Sequence, residues 1–379
     1  MEVDFVPDFS PELCVASPGR INLIGEHTDY NLGYVLPTAI TKKILLNFQK
    51  NGSKNKCNLY STTYSTGFSL DLHILSQSTV EWENYILGVI HEIQKRTDKL
   101  RGFDCSIESN LPTGSGLSSS AALECGLAYG LNELFGLGLS KMEMVKLAQK
   151  AEHTFVGTQC GIMDQFASVM SREGHVILLD CMSLQHQYIP ISMDTYRLIL
   201  LNTKVSHNLA SSEYNTRRAE CQKGIGIIQG NYSQVRSLRD VDFQMLQRCK
   251  DQMDRTIYNR CLFIVQENQR VLAMTKALVS QDWTEAGRLL YVAHEGIRTL
   301  YQVSCPESDF LVDFSKRFDA VLGARQTGGG FGGCILNLVH KNEVDTFVDA
   351  ARQAYKKTFG IELEAFEAVP RRGTSVRIP

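Results

Sequence analysis

Leu111-Pro112-Thr113-Gly114-Ser115-Gly116-Leu117-Ser118-Ser119-Ser120-Ala121-Ala122-Leu123-Glu124 is the stretch from which the rest of this 379-residue chain can be read. Gly114 and Gly116 let the backbone bend close to a ligand. Three hydroxyl residues then lead into strong helix formers, so main-chain N–H groups at a helix start point outward together. Unpaired donors at the positive end of the macrodipole hold an anion, and phosphate is the commonest biological one. Two better-known phosphate loops are excluded: no lysine follows the glycines, as a Walker A loop requires, and Ser119 stands where the third glycine of a dinucleotide fingerprint would be. A plainer reading also accounts for the stretch, namely a tight turn whose serine caps the helix.

Upstream, Phe103, Cys105 and Ile107 alternate as a strand that runs into the glycines, giving strand, loop and helix in the order a phosphate loop needs. Trp82, Tyr85, Ile86, Val89, Ile90 and Ile93 recur at helical spacing, and Tyr34 to Gln49 and Cys57 to Leu70 alternate as strands. Leu13 to Ser17 reads as a strand entering a turn at Pro18-Gly19. Next comes Arg20-Ile21-Asn22-Leu23-Ile24-Gly25-Glu26-His27-Thr28-Asp29-Tyr30-Asn31, where polar side chains surround a few apolar ones. A surface loop would explain that polarity, but Ile21, Leu23 and Ile24 read as buried. Polar groups held on such a frame suit a ligand rich in hydroxyls, since each needs donors and acceptors.

Downstream, Lys141 to Phe155 is a helix carrying Glu152 and His153 near its end. In Gly157-Thr158-Gln159-Cys160-Gly161-Ile162-Met163-Asp164-Gln165-Phe166, glycines permit a turn and the apolar flanks of Asp164 predict burial, which is costly unless the carboxylate is paired. A paired, buried acid is a candidate for proton transfer, with Arg20 as a candidate partner. Beyond residues 185 to 200 the chain turns to long helices, which predicts a domain boundary there. Gly328-Gly329-Gly330-Phe331-Gly332-Gly333 is followed by a strand, Cys334 to Val339, and so is not a dinucleotide fingerprint. Its glycines point to close approach of the backbone to a ligand or to the serine loop, or to a tight bulged hairpin.

Composition sets the bounds. The chain is 43% hydrophobic, and 39 basic against 41 acidic residues leave a formal charge of −2, with no electrostatic case for nucleic acid or an anionic membrane as partner. Its eleven cysteines are scattered without a C-x-x-C pair, which suits buried thiols in a reducing compartment. The start, Met1-Glu2-Val3-Asp4-Phe5, lacks the basic and apolar segments of a signal peptide, and the expected location is cytoplasmic.

Pro18 to Tyr30 closely resembles the galactokinase signature, Gly114 to Ala121 resembles the second motif of the GHMP sugar and small-molecule kinases, and Gly328 to Gly333 is similar to their third. Gly161-Ile162-Met163-Asp164-Gln165-Phe166 fits the same pattern, and the order and spacing agree over nearly the whole chain. The resemblance implies a two-domain α+β fold. Residues 1–195 would form an N-terminal domain of ribosomal-type β/α arrangement and residues 196–379 a ferredoxin-like C-terminal domain, with the active site between them.

It further implies ATP-dependent phosphorylation of the anomeric hydroxyl of α-D-galactose by a monomer or weak homo-oligomer. Asp164 would be the base on the sugar hydroxyl and Arg20 its charged neighbour. Glu26, His27, Thr28, Asp29, Gly161 and Tyr214 would hold the sugar. Gly114, Ser115, Gly116, Leu117, Ser118, Ser119 and Ser120 would wrap the triphosphate, with Mg²⁺ on Ser120 (or Ser119) and Glu152. A catalytically weak sensor of galactose and ATP, and a kinase for N-acetylgalactosamine, remain as alternatives.

Overall fold

The structure, a computed structural model, describes residues 9–206 and 210–377. Its largest sheet has six strands in the order Ser375–Arg377, Leu13–Asn22, Pro37–Lys50, Phe103–Ser109, Lys56–Ser61 and Thr66–Asp71. Every pair is antiparallel except Lys56–Ser61 on Phe103–Ser109. Alternate residues of these strands, among them Val15, Leu46, Phe48, Cys105 and Ile107, point at Ala122, Leu127 and Leu131 of the helix Ser119–Phe135. That helix lies very close to the sheet. A Cβ added at Gly130 would fall 2.2 Å from the Phe48 ring, so only glycine permits this seat. The close seating holds the serine loop over the strand that carries Arg20.

The turn expected at Pro18-Gly19 is not there. The strand continues to Asn22, and the irregularity is absorbed by a shift in register between Pro18 and Arg20. A bulge of this kind tolerates proline and re-aims the next side chain, here Arg20.

A second, fully antiparallel sheet has the order Val321–Thr327, Gly332–His340, Tyr196–Ser206 and Glu364–Glu367. Its two faces follow the two-residue period. Ile199, Leu201 and Ile335 pack under the helices Pro306–Ser315 and Val344–Phe359. Leu198, Leu200, Leu336 and Leu338 turn instead to the helices Arg255–Val279 and Trp283–Gly296 and join the core of the first sheet. The glycine-rich stretch is therefore the tip of a hairpin, between Val321–Thr327 and Gly332–His340. It is also a close approach, since a Cβ at Gly328, where φ is +89°, would lie 2.7 Å from the Gly116 carbonyl. Both readings of that stretch hold at once.

A small third sheet joins Tyr34–Val35, His175–Asp180 and His186–Pro190. All eleven cysteines are free thiols. No helix among the described residues is long and apolar enough to cross a membrane.

Candidate active site

The serine loop enters its helix through left-handed backbone at Gly114, Gly116 and Ser118 (φ 67°, 73° and 59°). Ser118 occupies the N-cap position, yet its side chain caps no N–H of the first turn. Its hydroxyl donates instead to Asp164 Oδ2. The reading of the serine as a helix cap thus fails, and the Ser118 side chain leaves the first-turn donors of the helix uncapped. A non-glycine residue in left-handed backbone marks a place where the surroundings hold local strain.

Arg20 and Asp164 meet beside this loop. Arg20 Nε donates to Asp164 Oδ1 and Nη2 to Oδ2, each at 2.8 Å, while Nη1 donates to the Gly116 carbonyl at 2.6 Å. One planar guanidinium therefore ties the acid to the glycine loop, a geometry lysine cannot reproduce. Burial works against the Arg20 charge, but Asp164 outweighs it and the Arg20 pKa is raised. Asp164 opens the helix Met163–Met170. Its flanks Met163 and Phe166 are buried, but Asp164 is less buried than those flanks predict: its side chain is 27% exposed, because it sits in the first turn facing the cleft.

The cleft has a volume of about 130 Å³, and Arg20, Glu26, His27, Asp29, Asp164 and Tyr214 line it together with Glu152. Glu26 is buried. Its Oε1 accepts from Arg325 Nη2 at 2.6 Å, from the Gly328 N–H at 2.8 Å and from Thr327 Oγ1 at 3.1 Å, and its Oε2 accepts from Asn22 Nδ2 at 3.1 Å. Burial alone would raise its pKa, but Arg325 and then Arg20 reverse this and hold it low. Glu26 is thus a clamp between the signature loop and the glycine hairpin as well as a lining residue. His27, in left-handed backbone, is pushed down to about 4 by burial and is neutral near pH 7. Its Nδ1 lies 2.9 Å from the Tyr30 hydroxyl, and its ring sits 5.4 Å from that of Tyr214 and 4.8 Å from that of Tyr301.

Asp29 is pushed up to about 7 by burial and by the Asp164 charge. Gly161 lies directly against it, and a Cβ there would be 2.0 Å from Asp29 Oδ2. Thr28 does not reach the cleft. It is fully buried, and its hydroxyl bonds the Gly25 and Tyr34 carbonyls at 2.8 and 2.5 Å, so its polarity serves the loop itself.

Glu152 stands in a π-helical turn, Glu152–Val156, that ends the helix Lys141–Ala151 and brings its carboxyl group beside Asp164. Burial, then the Asp164 charge, pushes it up to about 7. Behind it lies Glu124, fully buried and shifted strongly upward by burial and then by Glu152. Gln165 Nε2 donates to Glu152 at 2.9 Å and to Glu124 at 3.3 Å. Sequence alone does not single out Arg325, Glu124 or Gln165. A lone arginine in an apolar strand and a glutamate deep in a small-residue helix were the available signals. Ser120 and Ser119 make no hydrogen bond to these acids among the described residues, and of the three serines only Ser118 bonds Asp164.

Comparison with known proteins identifies the family. Residues 84–172 match the GHMP kinases N terminal domain, residues 274–357 the GHMP kinases C terminal domain, and residues 4–50 the galactokinase galactose-binding signature. A galactokinase of Thermotoga neapolitana is 42% identical over 353 residues, 93% of this chain and 97% of the relative. A galactokinase of Thermosipho africanus is 42% identical over 348 residues, 92% and 95% of the two chains. The crystal structure of Lactococcus lactis galactokinase complexed with galactose superposes with a TM-score of 0.92 at 34% identity, covering 96% of this chain and 94% of that one. Methanococcus jannaschii mevalonate kinase, at 16% identity and a TM-score of 0.67 over 97% of this chain and 100% of its own, shares the fold. The chain belongs to the GHMP kinase family, in its galactokinase branch. Its two-domain α+β architecture is the one the motifs implied.

Proposed function

We propose that the chain transfers the γ-phosphoryl group of ATP to the anomeric hydroxyl of α-D-galactose, giving galactose 1-phosphate and ADP. The observation that carries this is the Arg20 guanidinium, which grips Asp164 with one edge and the Gly116 carbonyl with another. It couples the acid that orients the sugar to the loop that receives the phosphates. Phosphoryl transfer is loose and asks chiefly for positioning and charge stabilisation. Asp164 accepts the hydroxyl proton as the oxygen attacks, and Arg20 faces the charge on the transferring group. Glu26, His27, Asp29, the Gly161 backbone and Tyr214 bind the sugar hydroxyls, with Thr28 holding their loop. The loop from Gly114 to Ser120, Leu117 included, wraps the triphosphate.

On this reading the cleft receives a divalent cation: Asp29, Glu152 and Asp164 line it together, and burial, then the Asp164 charge, push Asp29 and Glu152 up to about 7, a crowding of carboxyl groups that a cation would relieve. Glu152 and Ser120 would hold Mg²⁺, which when bound neutralises phosphate charge. The same reading divides the chain at residues 195 and 196, with the tail returning to the first sheet, and places a monomer or weak homo-oligomer in the cytoplasm. Release of ADP from Mg-ATP with galactose, and not with glucose, N-acetylgalactosamine or mevalonate, tests it. Binding of both ligands without turnover would indicate a sensor, and a preference for N-acetylgalactosamine the related kinase.

A further inference from the structure

A second hollow, of about 520 Å³, opens where the C-terminal tail crosses the first sheet, and it shares no lining residue with the catalytic cleft. Its charged wall is cationic. Lys43, Arg371, Arg372 and Arg377 line it, against Glu173 as the one acid. Glu173 is paired with Arg371. Among the described residues, the side chains of Lys43, Arg372 and Arg377 have no ion-pair partner. Lys43 shows the consequence: its pKa is lowered by burial and then by Arg377, Arg371 and Arg372. Four cations held together with one carboxylate among the described residues to offset them cost stability, and an anion entering the hollow would relieve that cost.

The backbone beneath these cations is fixed. Arg371 N–H donates to the Ala39 carbonyl at 2.9 Å, Gly373 N–H to Ser171 at 2.8 Å and Thr374 N–H to Ser168 at 2.7 Å, and Arg377 is in register with Cys14. Thr41 and Ser375 add hydroxyls to the lining. Forked guanidinium donors, a lysine and hydroxyl groups around a space of this volume suit a compact oxyanion of double charge and its small esters.

We propose that this hollow is a binding site for a phosphate dianion, free or as the monoester of a small sugar. The test is titration calorimetry at constant ionic strength in chloride, with the catalytic cleft filled by galactose and a non-hydrolysable ATP analogue. Inorganic phosphate and galactose 1-phosphate are the two probes. Binding of one equivalent per chain is expected, weakened by about tenfold or more in an Arg372→Glu/Arg377→Glu variant. Turnover measured without added phosphate should be unchanged, because both side chains are exposed and lie outside the catalytic cleft. Binding of both probes would make the phosphate group the determinant, and binding of the ester alone would add the sugar to it. No binding of either probe, or equal affinity in the charge-reversed variant and in a Lys43→Gln variant, overturns the proposal.

Discussion

Arg20 and Asp164, 144 residues apart in sequence, face each other edge to edge through two hydrogen bonds of 2.8 Å. The fork needs two acceptor oxygens, and Asp164→Asn turns an NH₂ group toward an arginine that has only donors. The expected outcome is a fall in kcat of about 10²–10⁴-fold with galactose affinity largely kept, read from ADP release and calorimetry on protein shown to be folded. Near-normal turnover would refute the role given to Asp164.

Arg325 and Glu26 form a buried ion pair at 2.6 Å, and Arg325 also donates to the Asn22 and Leu23 carbonyls. Removing one partner leaves a charge unpaired where water cannot reach it. Arg325→Met should therefore cost about 3–5 kcal/mol in urea unfolding. Adding Glu26→Gln should recover part of the loss, and a single variant as stable as the parent would contradict the clamp.

Asp29 gives a pH dependence whose sign is fixed. Its pKa is raised from 3.8 to about 7, so between these values the folded chain holds a proton that the unfolded chain has lost. Its contribution to stability falls as pH rises across that window. Asp29→Asn is neutral throughout, so its Tm measured without ligand should gain on that of the parent from pH 5 to pH 8. A constant difference would show that Asp29 does not titrate there.

Glu152→Gln separates metal binding from sugar binding. The Mg²⁺ concentration for half-maximal rate should rise by about tenfold or more while the galactose KM stays within about twofold. An unchanged Mg²⁺ dependence would remove Glu152 from the metal site.

The parts of the site readable in advance are those whose meaning is local. The serine loop, Arg20 with Glu26, and Asp164 each lie in a short run whose glycines and flanking apolar residues dictate the backbone. Arg325 was not readable, because its role exists only across the 299 residues that separate it from Glu26. Glu124 and Gln165 gain their meaning from Glu152, on another helix. Thr28 looked like its polar neighbours, since a hydroxyl that braces a loop and one that binds a sugar have the same formula. Pro18 reads as a break because proline signals one, and only the neighbouring strand shows that a bulge absorbs it. Ser375–Arg377 is too short to display alternation.

That last short strand governs how the protein is made. Leu13–Asn22 is flanked on one side by Ser375–Arg377, so it leaves the ribosome long before that partner does. Until Ser375–Arg377 is made, the nascent sheet presents an open edge, the feature by which unfinished chains recruit one another. A premature stop just upstream of Ser375 would leave every proposed catalytic group in place and still deliver a polypeptide prone to sticking to its own copies.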